Sequence, residues 1–369
     1  MSTSGRPCVL HVFPSFAVGG AQVRFAALAN RFGPRWRHVI VSLDGRTECA
    51  ERLAPEVERE IVAMPPRPGE GLPRRLWHIG QALRRFNPDV LVTSNWGSIE
   101  WAMASRAFPR LAHLHTEDGF GPEEAAGQLL RRVLARRLTL PRSRIVLPST
   151  TLLALARDNW KLSETSLNYV PNGLDLQRFS PRGPAVSLDV PGVGPLIGTV
   201  AALRAEKALG RLLHGCALLA AEGVAFRLAL VGEGPERTGL EALTDELGLR
   251  DRVAFTGHIA DPADAYRAFD VFALSSSTEQ MPFSVLEAMA TGLPVAATDV
   301  GDVRHMLAPE NQPFLAAGMD ETALAAALRP LLEDAALRAR LGLANRRRAE
   351  TAFDQETMFQ TYAALIEAA

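Results

Sequence analysis

Two glutamates, Glu279 and Glu287, lie on either side of a helix start that could bind an anionic ligand. Glu279 follows an apolar run that ends in small hydroxyl residues, and Pro282 then restarts the chain as a helix that contains Glu287. The positive end of a helix and its unpaired N–H groups favour phosphate oxygens. This pattern predicts a phosphate-binding loop, with ordinary surface glutamates as the alternative.

The elements around these glutamates alternate as strand, helix and strand. The apolar segment 271–274 predicts one strand, the helix ends near Gly292, and the segment 293–298 predicts the next strand. The loop beyond this second strand contains Gly301 and Asp302. In open parallel sheets, ligands bind outside the carboxyl ends of the strands, which is where these polar loops fall.

Arg204 and Lys207 form a second candidate site in the same half of the chain, after a predicted strand over 196–201. Lys207 is one of only two lysines in the sequence. Two cations at a strand-to-helix loop suit a diphosphate, and a solvated pair is the alternative. The segment 232–236, GEGPE, disfavours a nicotinamide enzyme because Pro235 follows its second glycine and the third glycine of a dinucleotide fingerprint is missing.

The first half offers a glycine pair and a histidine. Gly19 and Gly20 follow an apolar strand and precede a helix, which allows close approach of a ligand, or a plain turn. His113 and His115 share one face of a predicted strand, but no further histidines follow with zinc-like spacing. His115, at the carboxyl end of the strand, is a candidate to hydrogen-bond a polar ligand, with a core histidine as the alternative.

Composition indicates a two-domain soluble protein of a reducing compartment. The chain has 369 residues, of which 47% are hydrophobic and 22% are charged. Its three cysteines, at positions 8, 49 and 216, are too few and too distant for a disulfide framework. We find no secretion signal and no apolar run of the roughly 20 residues that a membrane span needs.

The charge is unevenly distributed along the chain. Residues 1–180 contain 24 Lys and Arg against 16 Asp and Glu, a balance of +8, whereas residues 181–369 have a balance of −9. Six arginines occur without an acidic residue between positions 125 and 144: Arg131, Arg132, Arg136, Arg137, Arg142 and Arg144. Leucines recur among them at helical spacing, which predicts a basic amphipathic helix that either docks on an anionic membrane or packs on the sheet as a solvated helix. Nucleic acid is disfavoured because stacking aromatics and binding signatures are missing.

Several short segments together resemble glycosyltransferase family 4. They are VGGAQ at 18–22, VPNGLD at 170–175, Arg204 with Lys207, VGEGPE at 231–236, FTGHI at 255–259 and EQMPFSVLEAMATGLPVAATDVGD at 279–302. The resemblance covers nearly the whole chain and is most specific in the second half. One departure is the loop HTEDGFG, which contains the acidic pair Glu117 and Asp118.

The resemblance implies a GT-B architecture, in which two Rossmann-like parallel-sheet domains face each other across a cleft. Residues 1–180 would form an acceptor-binding domain, residues 181–350 a nucleotide-sugar-binding domain, and residues 351–369 a helix that crosses back to the first domain. It also implies an enzyme that moves a sugar from a nucleotide diphosphate sugar to an acceptor hydroxyl with retention of anomeric configuration.

The resemblance further implies a role for each matched residue. Those with a catalytic role would be His115, Arg204, Lys207 and Glu279. Those that bind the donor would be Gly19, Gly20, Gly232, Ile259, Met281, Pro282, Phe283 and Glu287. Glu287 would hold the ribose hydroxyls, the two cations would neutralise the diphosphate, and Glu279 and His115 would contact the sugar. Ile259 would border the base, and the segment 281–283 would present backbone N–H groups.

No Asp-x-Asp occurs in the sequence, which speaks against the metal-dependent class of sugar transferases. Fixed cations and a helix terminus can instead stabilise a departing diphosphate, so we expect neither a metal nor a cofactor. The expected partners are a nucleotide diphosphate sugar and a hydroxyl acceptor, with a lipid-linked acceptor and a peripheral contact with the inner face of the membrane as options for a cytoplasmic protein. A GT-B-shaped sugar-nucleotide epimerase or hydrolase, and a non-catalytic nucleotide-sugar binding module, are the alternatives.

Overall fold

The computed structural model describes residues 5–65, 69–120, 124, 127–259 and 261–368. The chain divides into two compact units, one of Met1–Pro171 with Phe359–Ala369 and one of Asn172–Met358. Each unit is an α/β structure around a single parallel sheet, so the prediction of two Rossmann-like domains is confirmed. Among the described residues, no helix combines the length and the apolar character that crossing a bilayer would require.

The first unit contains a seven-stranded sheet with the order β3-β2-β1-β4-β5-β6-β7. Its strands are β1 Cys8–Phe13, β2 Arg37–Ser42, β3 Arg59–Ala63, β4 Val90–Ser94, β5 Ala112–Thr116, β6 Arg144–Leu147 and β7 Leu167–Tyr169. Its helices are α1 Gly20–Phe32, α2 Leu72–Phe86, α3 Ile99–Ser105, α4 Leu130–Thr139 and α5 Thr150–Asp158. The strand order reverses between β1 and β4, and such a switch point is where ligands bind in open α/β sheets.

The second unit contains a six-stranded sheet with the order β10-β9-β8-β11-β12-β13. Its strands are β8 Leu196–Val200, β9 Arg227–Val231, β10 Val253–Gly257, β11 Val271–Leu274, β12 Val295–Thr298 and β13 Leu315–Ala316. The helices of this unit are α6 Leu209–Ala221, α7 Arg237–Glu246, α8 Pro262–Tyr266, α9 Phe283–Ala290, α10 Val303–Met306, α11 Glu321–Glu333 and α12 Ala335–Ala352. The last helix, α13 Gln355–Glu367, begins in this unit, and its residues from Phe359 onward belong to the first unit. Here the strand order reverses between β8 and β11, so a second switch point lies between their loops.

Some elements were not anticipated from the sequence. The edge strands β7 and β13 have three and two residues, which is too short for a strand pattern to emerge. The C-terminal tail, rich in Ala, Leu and Arg, divides into three helices because Asp320 and Asp334 cap two of them, accepting hydrogen bonds from Ala323 N (2.8 Å) and Leu337 N (2.9 Å). All three cysteines are buried and free.

Candidate functional site

The loops after β8 and β11 meet at the switch point of the second sheet. Ser275 Oγ donates to the Lys207 carbonyl (2.9 Å), and the Ser277 amide donates to the Glu206 carbonyl (2.8 Å). Arg211 Nη1 donates to the Ser275 carbonyl (2.6 Å) and adds a third link. The two loops therefore have a fixed relative position, which brings the predicted residues of both into one cluster.

Lys207 and Glu279 are direct partners in this cluster. Lys207 Nζ lies 2.5 Å from Glu279 Oε1, and Ser276 Oγ donates to the same oxygen (2.8 Å). Both charged side chains keep some exposure, 25% for Lys207 and 12% for Glu279. Since an ammonium group has three N–H donors, Lys207 can hold Glu279 and still donate to a ligand.

Arg204 lies on the loop after β8, and its side chain is exposed. This loop packs against the loop after β9, because the Leu203 amide donates to the Glu233 carbonyl (2.9 Å). Gly232 has a φ of +138°, and a Cβ added there would lie 1.9 Å from the Ala201 carbonyl oxygen. The structure thus gives Gly232 a packing role, namely close approach of the loop that bears the cations. Its contact with a donor stays a prediction.

The N-terminus of α9 is held by its neighbours. Asn172 Nδ2 donates to the Met281 carbonyl (3.1 Å), and the Met281 sulfur accepts from the Asn172 amide (3.2 Å). The Asp302 amide donates to the Gln280 carbonyl (2.8 Å) from the loop after β12. The first amides of a helix have no partner within it, so that of Phe283 is a candidate anion donor. Pro282 has no amide hydrogen, and its inclusion among the N–H donors was wrong on covalent grounds.

Glu287 lies half-buried on α9 and is paired with a tyrosine that sequence reasoning missed. The hydroxyl of the fully buried Tyr266 donates to Glu287 Oε2 (2.7 Å). Burial raises the pKa of Glu287 to about 7. Burial, and then the neighbouring Glu287, raise the pKa of Tyr266 well above its usual value, so its hydroxyl stays a donor. Glu287 is therefore a carboxyl that titrates near neutrality, as is common at functional sites.

Ile259 follows β10 and lines a cavity of about 330 Å³ in the second unit. Leu188, Ala254 and Thr256 contribute to the same lining. A mainly apolar wall beside a few polar groups suits one face of a planar ring. This position fits the predicted role of Ile259 beside a base, which stays a prediction.

In the first unit, Gly19 and Gly20 follow β1 at the carboxyl edge of the sheet. Gly20 is the first residue of α1, and Gly19 caps it in an extended conformation, with its carbonyl accepting from the Val23 amide (2.8 Å). The helix therefore begins directly at the switch point between β1 and β4, where its positive end can attract an anion.

His115, at the end of β5, is fully buried. Its Nδ1 shares a hydrogen bond with Thr93 Oγ1 (2.8 Å), and Nε2 lies 3.4 Å from Glu117 Oε2. Thr93 Oγ1 also bonds His113 Nε2 (2.8 Å), and burial lowers the pKa of His113 to about 3, so that ring is neutral. His115 is thus a member of a buried hydrogen-bond network in this structure, and its contact with a sugar stays a prediction.

The arginines of α4 do not all face outward. Arg136 is fully buried, where its Nε donates to Glu117 Oε2 (3.0 Å) and its guanidinium lies 4.7 Å from the centre of the Trp160 ring. Arg132 is 8% exposed and donates to Glu124 Oε2 (2.8 Å). Two of the six arginines of this region therefore face inward, where they neutralise buried carboxylates, and the membrane contact of the region stays a prediction.

An open cavity of about 1040 Å³ in the first unit was also missed from the sequence. Its polar lining includes Arg75, which makes a bidentate pair with Glu100 through Nη2 (2.7 Å) and Nε (2.9 Å). His78 Nε2 lies 2.9 Å from Glu70 Oε1 in the same lining. These carboxylates, the guanidinium of Arg75 and the imidazole of His78 can hydrogen-bond a polyhydroxylated ligand. Within the described ranges, no group of three His, Cys, Asp or Glu side chains is placed to hold a metal ion.

Two family profiles match different parts of the chain. The profile described as "Glycosyl transferases group 1" matches residues 187–348, and the profile "Glycosyltransferase Family 4" matches residues 18–178. Together the two matches extend over most of both units.

Curated relatives show similarity over different lengths. The lipopolysaccharide core biosynthesis glycosyltransferase LpsD of Rhizobium meliloti is 37% identical over 140 residues, which cover 38% of this chain and 41% of LpsD. The chain thus spans about two fifths of the length of LpsD. The D-inositol 3-phosphate glycosyltransferase of Stackebrandtia nassauensis is 28% identical over 363 aligned residues, with 88% of this chain and 81% of that protein covered.

Solved structures share the fold. A sucrose-phosphate synthase from Thermosynechococcus elongatus superposes with a TM-score of 0.80 at 23% identity, covering 99% of this chain and 100% of that one. The Anabaena protein HepE, in complex with UDP-glucose, gives a TM-score of 0.78 at 18% identity, covering 98% and 100%. At these identities the likeness shows the fold alone, and it confirms the predicted fold class.

Proposed function

Because this chain belongs to the group 1 glycosyltransferases of glycosyltransferase family 4, we propose that it transfers a sugar from a nucleotide diphosphate sugar to an acceptor hydroxyl. The cluster at the switch point of the second sheet supports this proposal most. There Lys207, on the same loop as Arg204, is paired with Glu279, and α9 begins four residues after Glu279. Fixed cations and amides of this kind stabilise the negative charge that grows on a departing diphosphate.

Each residue of the second unit has a separate task in the proposed reaction. Arg204 and Lys207 neutralise the diphosphate, and the Phe283 amide adds a neutral donor. The carboxylate of Glu287 accepts hydrogen bonds from the ribose hydroxyls. Glu279, held by Lys207 and by Ser276, faces the transferred sugar.

We propose that the reaction retains the anomeric configuration and needs no divalent metal. Protein cations replace the metal in this scheme, which is consistent with the sequence having no Asp-x-Asp. The first unit would bind the acceptor in the cavity lined by Arg75 and Glu100, and His115 would support the sugar site. A lipid-linked glycan is the proposed acceptor class, since LpsD is described as an enzyme of lipopolysaccharide core biosynthesis.

A donor panel tests the proposal. The protein is incubated with UDP, GDP and ADP sugars, with and without candidate acceptors, and free nucleotide is measured together with the shift in thermal unfolding. UDP-glucose is the first donor to test, because the HepE structure contains it. A bound donor at 100 times its dissociation constant adds about 2.7 kcal/mol to the free energy of unfolding.

Each outcome discriminates among the candidate functions. Nucleotide release that depends on acceptor supports the transferase, whereas release without acceptor indicates a hydrolase. Conversion of the donor sugar indicates an epimerase, and stabilisation without any turnover indicates a binding module. Activity that EDTA abolishes and magnesium restores would contradict the metal-free mechanism, and NMR of the new linkage would test retention.

A further inference from the structure

The outward side of α4 presents a row of leucines to solvent. Leu130, Leu134 and Leu138 are 86%, 55% and 62% exposed. At about 100° per residue, their spacing of four places all three within an arc of about 80°. A single exposed leucine is ordinary, but a contiguous apolar row along one helix marks an interaction surface.

Cations border this row on both sides. Arg131 and Arg137 are exposed and project about 20° beyond the two edges of the leucine arc. Arg106 donates to the Leu138 carbonyl and adds a cation at the end of the helix, and Arg142 is exposed just beyond it. In sequence, no acidic residue occurs between Glu124 and Asp158.

The inner side of the helix fixes this orientation. The buried pairs of Arg136 with Glu117 and of Arg132 with Glu124 hold α4 against the loop after β5. Rotation of the helix to bury the leucines would expose or unpair these buried charges, which costs several kcal/mol. The leucines therefore stay outside and do not pack on the sheet.

We propose that the outer face of α4, defined by Leu130, Leu134, Leu138, Arg131 and Arg137, docks on an anionic phospholipid surface. A convex helix with an apolar centre and basic rims matches a helix that lies in the plane of a bilayer, with leucines at the acyl boundary and guanidinium groups among the phosphates. A protein partner would need an acidic groove that meets both rims, whereas a lipid surface supplies negative charge on all sides. This docking does not depend on the proposed sugar transfer.

Vesicle co-sedimentation of the full chain, without any donor, tests the proposal. Vesicles of phosphatidylcholine are compared with vesicles that also contain phosphatidylglycerol, at low and high salt. Each cation near an anionic leaflet contributes about fivefold to partitioning, equivalent to about 1 kcal/mol. Arg131→Gln with Arg137→Gln should therefore weaken binding about 25-fold, and Leu134→Gln with Leu138→Gln should weaken it at every salt concentration.

A matched control comes from the exposed surface of α12. Leu343 is 53% exposed, close to the value for Leu134, and Arg347 is exposed on the same helix. Leu343→Gln with Arg347→Gln should leave vesicle binding unchanged, and all variants should unfold at the wild-type temperature because only exposed side chains change.

Three results would overturn the proposal. The first is a failure of the wild-type protein to bind phosphatidylglycerol vesicles at low salt. Binding that both α4 variants retain at full strength would assign it to another surface. Self-association in solution that the leucine variant abolishes, with vesicle binding unaltered, would make this face an interface between copies of the chain.

Discussion

Replacing Glu287 by glutamine should raise the stability of the protein and weaken its binding of nucleotide. Burial raises the pKa of this carboxyl from 4.5 to about 7 in the folded state. The folded protein therefore favours the neutral form, so stability is complete below pH 4.5 and is lost as the pH rises through 7. Glutamine is neutral at every pH and can still accept the hydrogen bond of the Tyr266 hydroxyl.

The size of this stability change follows from the pKa shift of Glu287. A pKa shift of about 2.5 units at about 1.4 kcal/mol each gives about 3.5 kcal/mol, and the half-buried position of the carboxyl reduces the expectation to about 2 kcal/mol. Urea denaturation should show Glu287→Gln more stable than wild type by this amount at pH 8 and equal to it at pH 4. Equal stability at both pH values would refute the assignment of a raised pKa to Glu287.

Nucleotide binding should change in the opposite direction. Glutamine accepts ribose hydroxyls less strongly than a carboxylate, so the affinity for a nucleoside diphosphate should fall by about 1.5–3 kcal/mol at pH 8. In wild type the affinity should also decline below pH 7, where Glu287 becomes protonated, by more than it does in the variant. The variant controls for titration of the ligand itself. Calorimetric titrations that give identical affinities for the two proteins would remove Glu287 from the donor site.

Other predictions concern the cations and the packing around them. Arg204→Ala and Lys207→Ala should depress kcat more than donor binding, because diphosphate charge grows as the sugar departs; a raised KM with unchanged kcat would leave them a binding role only. Arg136→Met should lower the free energy of unfolding by about 3–5 kcal/mol in urea, since a buried carboxylate loses its partner, and a loss below 1 kcal/mol would contradict that pairing. Gly232→Ala should cost at least about 1–3 kcal/mol through its positive φ, whereas Gly239→Ala on α7, where an added Cβ meets no atom within 4 Å, should be neutral or stabilising.

The strands and the site loops could be predicted because they depend on local pattern. The apolar run of β11 is buried on both faces of a parallel sheet, so it appears in the sequence as a continuous hydrophobic segment. Polar loops that follow such runs must fall at one edge of the sheet, which brings Lys207 and Glu279 together. The partner of Glu287 could not be predicted, because Tyr266 lies 21 residues away and meets it only through tertiary packing.

The orientation of α4 is the clearest case in which the pattern misleads. Leucines on an amphipathic helix normally mark its buried side. Here the buried side contains Arg132 and Arg136, because Glu117 supplies a carboxylate and Trp96 and Trp160 supply aromatic faces for the guanidinium groups. These partners lie on separate segments of the chain, so no helical periodicity within α4 could reveal them.

The loops after β8 and β9 approach each other closely, so the glycines of the VGEGPE segment report on loop packing and not on the chemistry of the site. A Cβ at Gly232 or at Gly234 would collide with a backbone carbonyl of the neighbouring loop, 1.9 Å and 2.3 Å away. Any protein built with these two loops in contact needs both glycines, whether or not it transfers a sugar. A homologue that had become a regulatory subunit or a lectin would still contain them. Arg204 is exposed and makes no such packing demand, so under the proposed function it is the position at which a change would signal that the chemistry had been lost.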